Sequence, residues 1–299
     1  MTDAERSGEH ADRGAGPSSG PGRARSWLYV PAHRSELLDK ALSGPADAVV
    51  LDLEDAVPAG AKDTARDAAV AAATVPRTKP LWVRINAVGS PWFADDLAAL
   101  AGTVLDGVRV PKAGDPETVA VLARRVGLRL HLLLESALGV EQAFALARAH
   151  PSVVAVSLGE ADLAADLGVR RPDALAWARQ RVVVACRAAG VAAPITSVWT
   201  DLADPDGLER DSREARDQGF FGRSVIHPKQ VEPVHRAFTP SPDEVVEARA
   251  LLGSLTDATG RGESAWVDER GRFVDPAVVA GARRVLDQAD PHTLDEEDR

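Results

Sequence analysis

Cysteine, aromatic residues and net positive charge are all scarce in this chain. Its 299 residues include one cysteine and 4% aromatic residues, and the formal net charge is −10. A single cysteine excludes a disulfide framework and fits a reducing cytoplasm, and Cys186 lies in a helix-like run typical of packing. The negative charge argues against a nucleic-acid surface but leaves room for a local basic pocket.

Long hydrophobic runs and nucleotide-binding glycine motifs are also absent. No segment approaches the ~20 apolar residues of a membrane span, so no membrane partner is expected. Residues 1–24 lack the apolar centre of a signal peptide and are predicted to be a disordered tail, and residues 292–299 a solvated acidic tail. No Gly-x-Gly-x-x-Gly follows the first strand, which disfavours an open nucleotide-binding sheet.

Short apolar runs alternate with Ala- and Leu-rich amphipathic stretches. Eight strands are predicted, at Trp27–Val30, Ala48–Leu53, Leu81–Ile85, Gly107–Val110, Leu130–Leu134, Val153–Leu158, Ile195–Val198 and Gly222–Ile226. Strands that alternate with helices indicate a parallel α/β sheet. Eight units in about two hundred residues favour a TIM (β/α)₈ barrel over residues 25–238.

The alternation stops after His227. A proline-rich segment, Pro228–Pro240, is predicted to turn outward, and a helix to follow over Asp243–Thr256. Residues 265–274 are typical of a hairpin, and Asp275 is predicted to cap a last helix. Residues 239–291 are therefore expected to form a hairpin-plus-helix extension that acts as a lid or an oligomerisation arm.

Acidic side chains follow the second predicted strand. Asp52, Glu54 and Asp55 come within four residues at the end of an apolar run. Because burying such groups unpaired is costly, the cluster indicates a functional site. In a barrel the chemistry lies at the carboxyl ends of the strands, where this cluster is predicted to stand.

Carboxylates also follow the fifth and sixth predicted strands. Glu135 with either Glu160 or Asp162 could supply oxygen ligands to Mg²⁺, which keeps several waters. The alternative is that Asp162 caps a helix and Glu135 pairs with an arginine. The spacing does not choose between Glu160 and Asp162.

Basic residues at the strand ends are candidates for substrate binding. Arg84 lies inside an apolar strand and must find an anion, either a ligand carboxylate or Asp52 or Glu54. Arg34 and Lys40 could hold phosphate or belong to a solvated helix face. Lys112 could form a Schiff base but is interpreted as structural.

Several motifs together resemble the citrate lyase β-subunit-like branch of the HpcH/HpaI aldolase family. The matching segments begin with Arg25–Pro31, Asp52–Val57, Val83–Asn86 and Val110–Lys112, and continue with Leu134–Gly139, Gly159–Gly168 and Gly219–Val231. The resemblance covers about residues 25–289 and implies a Mg²⁺-dependent lyase, with Mn²⁺ as a possible substitute. The substrate would be a CoA thioester of a 3-hydroxydiacid, such as malyl-CoA or citramalyl-CoA.

The resemblance also implies roles for individual residues. Glu135 and Asp162 would bind the metal, and Arg84 and Tyr29 would contact the oxoacid substrate. Arg34 and Lys40 would bind the CoA phosphates. Asp52 and Asp55 would orient waters and Arg84, with Glu54 and Arg84 in the catalytic machinery. Asp275 would reach a neighbouring subunit's site for proton transfer, so the chain is expected to form a homotrimer or homohexamer.

Two further functions stay open at this stage. One is a thioesterase that hydrolyses the same CoA esters, and the other is a citrate lyase β subunit that acts with an acyl-carrier partner. The presence of Asp275 favours a free-standing CoA-ester lyase. No basic patch or aromatic array supports a nucleic-acid partner.

Overall fold

The computed structural model describes residues 23–260 and 262–289. Residues 1–22 and 290–299, which contain most of the two predicted tails, lie outside the described residues. Ala24, assigned to the N-terminal tail by the sequence, is 5% exposed and packs inside the sheet. Among the described helices, none has the length and apolar character needed to cross a bilayer.

The strands of the main sheet are β1 Ser26–Pro31, β2 Ala48–Asp52, β3 Leu81–Arg84, β4 Gly107–Val110, β5 Leu130–Leu134, β6 Val153–Leu158 and β7 Arg223–Val225. They form one parallel, curled seven-stranded sheet in the order β6–β5–β4–β3–β2–β1–β7. This sheet confirms the α/β class and is consistent with a TIM-like barrel.

Helices connect successive strands, as parallel crossovers require. The connecting helices are α1 Ser35–Ser43, α2 Lys62–Ala73, α3 Phe93–Leu100, α4 Pro116–Val126, α5 Ala137–Glu141, α6 Ala143–Ala147, α7 Glu160–Leu167, α8 Ala176–Ala189 and α9 Pro205–Asp217. Three more helices follow β7, namely α10 Val231–Phe238, α11 Pro242–Gly260 and α12 Pro276–Gln288. The stretch between β5 and β6 forms two short helices, α5 and α6.

Alternate residues of each strand face two different hydrophobic layers, because successive side chains point to opposite faces. Leu28 and Val49 pack in the large cluster between the sheet and the helices. Trp27, Val50 and Trp82 pack in a smaller cluster inside the curled sheet. The strands are buried on both faces, which explains why their sequences are continuously apolar.

The predicted strand at Ile195–Val198 is not a regular strand. It contributes an isolated parallel bridge between Thr196 and Arg223. The backbone N–H of Ala192 donates to β6 and that of Thr196 to the residue before β7, so this segment lies between them. Pro194 lacks an N–H, which interrupts a continuous ladder here.

The prediction that Pro228–Pro240 turns outward is wrong. The segment forms a short 3₁₀ turn and then α10, in which Val234 and Phe238 are fully buried in the main core. Pro233 is tolerated because it lies in the first turn, where its missing N–H would have no helical partner.

The C-terminal extension has its own hydrophobic cluster. Two strands, β8 Trp266–Val267 and β9 Phe273–Val274, pair as the predicted antiparallel hairpin. Trp266 and Val274 pack with α11 and α12 in a cluster separate from the main core. Asp275 caps α12 as expected, since its Oδ1 accepts from Ala277 N at 2.9 Å and Val278 N at 3.0 Å.

Candidate active site

Asp52 anchors the acidic loop at the carboxyl end of β2. It is fully buried, and its Oδ1 and Oδ2 accept hydrogen bonds from Arg84 Nε and Nη2, each at 2.7 Å. The same two oxygens accept from the backbone N–H groups of Glu54 at 3.0 Å and Ala56 at 2.9 Å. Each oxygen of Asp52 therefore accepts two hydrogen bonds, and the carboxylate fixes the positions of both the loop backbone and Arg84.

Arg84 binds all three acids of the loop. Its Nη1 lies 3.1 Å from Glu54 Oε2 and 3.3 Å from Asp55 Oδ2. Tyr29 lies against the guanidinium, with Cζ 5.1 Å from the ring centroid. The sequence left open whether Arg84 serves a ligand or an internal ion pair, and the structure shows the internal ion pairs.

Glu54 is the acid of this loop that can hold a proton near neutral pH. It is 7% exposed. Burial raises the pKa of Glu54 to about 8; the Arg84 charge opposes this shift, while the Asp55 and Glu135 charges add to it. Lys112 Nζ lies 3.9 Å from Glu54 Oε1 on the outer side.

Lys62 fixes the backbone of the acidic loop from below, a role that the sequence did not reveal. Its Nζ donates to Leu53 O at 2.6 Å, Glu54 O at 2.7 Å and Asn86 Oδ1 at 2.7 Å. All three ammonium protons are therefore used. A lysine on the apolar face of a predicted helix was the available signal, because Lys62 is 6% exposed on α2.

Glu135 and Asp162 follow the neighbouring strands β5 and β6. Glu135 is 7% exposed, and its Oε2 accepts from the Lys112 backbone N–H at 3.1 Å. Burial and then the nearby Asp162 charge raise the pKa of Glu135 to about 7. A buried carboxylate whose ionisation is disfavoured by burial and by a neighbouring carboxylate's charge is suited to bind a cation.

Glu160 does not join this pair, because both oxygens of its side chain are bound to an arginine. Its two oxygens accept from Arg179 Nε at 3.0 Å and Nη2 at 2.7 Å. Asp162, in the first turn of α7, is exposed. The geometry therefore favours Asp162 over Glu160 as the second metal ligand.

Gly159 makes room for Glu135. A Cβ built on Gly159 would lie 2.4 Å from Glu135 Cγ and 2.7 Å from its Oε1. A side chain at this position would displace the carboxylate, so the glycine is needed for close approach.

The residues present fit Mg²⁺. Among residues 23–260 and 262–289, no group of three or more His, Cys, Asp or Glu side chains is placed to hold a metal. Two hard oxygen donors, with the remaining positions left to water and substrate, are the usual environment of Mg²⁺ and not of zinc.

A buried arginine below the site was missed by the sequence analysis. Arg109 on β4 is fully buried and donates to Tyr29 Oη at 2.9 Å and Ser224 Oγ at 3.0 Å. Its Cζ lies 5.3 Å from the Tyr29 ring centroid and 4.7 Å from that of Trp27. Arg84, Tyr29, Arg109 and Trp27 thus form an alternating column of cations and rings. An arginine inside an apolar strand was the available signal, as it was for Arg84.

The remaining predicted residues lie away from this centre. Arg34 pairs with Glu36, and Lys40 is exposed in the last turn of α1. Asp275 caps α12 within the extension, so the single chain leaves it outside the contacts of Glu54 and Glu135. Cys186 is buried, and burial raises its thiol pKa to about 12, which supports packing.

The comparison with protein-family models decides the family. The model described as HpcH/HpaI aldolase/citrate lyase matches residues 25–228. The chain belongs to this family. The family resemblance inferred from the motifs is therefore confirmed, as is the expectation of a lyase.

Similar members of the HpcH/HpaI family carry several names. A citrate lyase subunit beta-like protein of Deinococcus radiodurans is 38% identical over 280 residues, covering 89% of this chain and 97% of that protein. An L-malyl-CoA/beta-methylmalyl-CoA lyase of Cereibacter sphaeroides is 33% identical, covering 92% and 96%. A (3S)-malyl-CoA thioesterase of the same species is 34% identical, covering 89% and 94%.

A solved structure of the family shows its ligands. CitE from Mycobacterium tuberculosis, in complex with magnesium, acetoacetate and coenzyme A, has a TM-score of 0.77 and 35% identity to this chain. The match covers 89% of this chain and 98% of that one. The expected Mg²⁺ and CoA are thus confirmed for the family, whereas the acyl substrate and the residue roles stay predictions.

Proposed function

We propose that this chain is a Mg²⁺-dependent lyase that cleaves or forms the carbon–carbon bond of a 3-hydroxydiacyl-CoA thioester, such as malyl-CoA or citramalyl-CoA. The observation that carries the proposal is the placement of Glu135 and Asp162 beside the loop of Glu54 and Arg84. The CoA-ester lyase among its relatives supports the substrate class.

Glu135 and Asp162 would hold the metal, which supplies Lewis-acid polarisation of an oxoacid's oxygens when bound. Arg84 Nη1 contacts Asp55, whose side chain is 66% exposed, so this nitrogen is the part of Arg84 that a substrate carboxylate can reach. Its other nitrogens stay on Asp52, which fixes the guanidinium during binding.

In the cleavage direction the 3-hydroxyl loses its proton, and we assign the ionised form of Glu54 as the acceptor. The electron pair of the broken bond becomes a thioester enolate, which then takes a proton on carbon. We assign that proton to Asp275 of a neighbouring copy, because the single chain holds Asp275 in the extension. Residues 239–291 would then act as a lid, and residues 192–197 would complete the barrel.

The direct test is incubation of pure protein and Mg²⁺ with malyl-CoA and with citramalyl-CoA. We expect acetyl-CoA and an oxoacid, and a loss of about 100-fold or more in kcat for Glu135→Gln and Asp162→Asn. Glu160→Gln is the matched control and should keep Mg²⁺ affinity. Absence of cleavage, or unchanged activity in the two ligand variants, contradicts the proposal.

Trans complementation tests the placement of Asp275. Asp275→Asn and Glu135→Gln chains should each be inactive alone. Co-expressed mixed oligomers should recover part of the activity, because some sites then receive both intact residues from different chains. No recovery in oligomers shown to be mixed would exclude a site shared between copies.

A second candidate is hydrolysis of a malyl-CoA-type thioester, favoured by the thioesterase relative. The same incubation separates the two, because hydrolysis yields a free hydroxyacid and CoA in place of an oxoacid and acetyl-CoA. A citrate lyase β role is distinguished by a requirement for an acyl-carrier protein.

A further inference from the structure

Lys112 has an unusual backbone conformation at the edge of the site. Its φ is 52°, and among residues 23–260 and 262–289 it is the one non-glycine residue with positive φ, beside nine glycines. This left-handed region is strained for a residue with a Cβ, and such outliers cluster at functional sites. Lys112 comes two residues after β4, where site residues stand.

The backbone conformation of Lys112 positions its N–H for a hydrogen bond. It turns the Lys112 N–H toward Glu135, whose Oε2 accepts this hydrogen bond at 3.1 Å. Ala113 N then donates to Leu133 O at 3.0 Å, so the turn is fixed on both sides. Glycine would adopt this conformation and supply the same N–H with less strain, so the backbone alone does not explain a lysine here.

The side chain lies at the mouth of the site. It is 56% exposed, and its Nζ is 3.9 Å from Glu54 Oε1, which is a loose ion pair. Lys62 donates to three acceptors, and Arg84 uses Nε and Nη2 on Asp52, which leaves Nη1 for the substrate carboxylate of the proposed function. Besides Arg84 Nη1, the exposed Lys112 ammonium therefore has protons available to a second part of a ligand.

We propose that Lys112 is a substrate-contacting catalytic residue whose ammonium donates a hydrogen bond to the thioester oxygen of the acyl-CoA. This inference rests on the proposed function, because it is the lyase reaction that develops negative charge on that oxygen. When the carbon–carbon bond breaks, its electron pair delocalises onto the thioester oxygen as an enolate. Lys112 stays protonated throughout, and the enolate carbon later takes the proton that completes acyl-CoA.

Preorganised donors at a developing negative charge are a large source of catalysis, and loss of one costs about 100- to 1,000-fold in kcat. The competing interpretation is structural: the turn serves Glu135, and the ammonium is merely solvated. The two interpretations differ in what a glycine at position 112 does.

The experiment compares Lys112→Gly with Lys112→Ala and Lys112→Arg. Lys112→Gly keeps the positive φ and the N–H to Glu135 but removes the ammonium. We expect its melting temperature and calorimetric Mg²⁺ affinity to equal or exceed those of wild type, while kcat falls about 100-fold with a smaller change in KM. Lys112→Ala should be less stable, and Lys112→Arg should restore part of kcat. Wild-type kcat in Lys112→Gly overturns the proposal.

A binding measurement separates this inference from the proposed function. Carboxymethyl-CoA, an anionic analogue of the acetyl-CoA enolate, and acetyl-CoA itself are titrated into wild type and Lys112→Gly with Mg²⁺ present. We expect Lys112→Gly to lose affinity for carboxymethyl-CoA and to keep that for acetyl-CoA. Binding without cleavage in wild type overturns the lyase alone, and equal carboxymethyl-CoA binding by both proteins overturns the role of Lys112. Absence of all binding overturns both.

Discussion

At the scale of single residues, two buried arginines differ in the groups that accept their hydrogen bonds. Arg84 and Arg109 are both arginines of apolar strands, yet Arg84 meets two buried carboxylate oxygens, whereas Arg109 meets two hydroxyls. Arg109 Nε and Nη2 are buried without a hydrogen-bond partner. Its burial lowers its pKa, because the charged form is poorly solvated.

Gly159→Ala tests the close approach of Glu135. The added Cβ would lie 2.4 Å from Glu135 Cγ, so the carboxylate must move. We expect Mg²⁺ affinity, measured by calorimetry, to fall about 10-fold or more. Gly253→Ala is the control, because nothing lies within 4 Å of the Cβ it would gain. Equal Mg²⁺ affinity in both variants would show that Glu135 is not a ligand.

Arg109→Met tests whether the buried cation serves stability. Replacing a poorly compensated buried charge with an apolar side chain of similar size is often neutral or stabilising, by about 1–4 kcal/mol. We expect urea unfolding to show equal or greater stability and turnover to fall, since Tyr29 loses its hydrogen bond. A loss of stability above about 3 kcal/mol would instead indicate that Arg109 is compensated in the folded protein.

At the scale of elements, the sequence predicts correctly those strands whose positions follow from the hydrophobic pattern. The strands up to β6 are close to their predicted bounds because they are apolar on both faces. The regular strand predicted at Ile195–Val198 does not form, because a continuous ladder needs backbone hydrogen bonds and Pro194 has no N–H to donate. Helix α10 was not predicted, because the prolines of this segment indicated a turn. The spacing of Val231, Val234 and Phe238, which are all buried, indicates a helix.

The sequence also indicated the acidic loop and the two carboxylates after β5 and β6. Glu54, Glu135 and Asp162 could be singled out because carboxylates that follow apolar strands indicate a site in the sequence alone. Lys62 and the turn at Lys112 were not singled out, because their roles come from distances between elements. Spacing alone left Glu160 and Asp162 open; the family resemblance chose Asp162, and the pairing of Glu160 with Arg179 supports that choice.

Asp275 has an observed role as the cap of α12 and a proposed role in proton transfer, and substitutions can separate the two. Asp275→Ala removes the cap and should cost about 1 kcal/mol in chemical denaturation. Asp275→Asn keeps a capping oxygen and should remain near wild-type stability, yet lose turnover if the carboxylate transfers a proton. If Asp275→Asn keeps full turnover, the residue is a helix cap and nothing more.

At the scale of the whole molecule, acids of the site link stability to pH. Burial raises the pKa values of Glu54 to about 8 and Glu135 to about 7, both above the ordinary value of 4.5. Between 4.5 and these values the folded chain holds more protons than the unfolded chain. These two groups therefore lower the free energy of unfolding as pH rises through that window.

Mg²⁺ should oppose this trend, because the proposed site binds the metal through the ionised form of Glu135. We expect the increase in melting temperature caused by Mg²⁺ to be small near about pH 5.5 and to grow until about pH 7 to 8. Thermal melts with and without Mg²⁺ across this range measure it. The pH-dependent gain should vanish in Glu135→Gln, and a constant gain at every pH would contradict the assignment.

The separate hydrophobic cluster of α11, the hairpin and α12 predicts that the extension unfolds locally more readily than the sheet. Its buried set is small, with Trp266 and Val274 at the centre, and it shares no member with the main core. Regions with few buried contacts exchange their amide hydrogens through low-energy local openings. The extension should therefore exchange hydrogens well before β1–β6, as a cooperative unit that can come apart while the sheet and its acids stay intact.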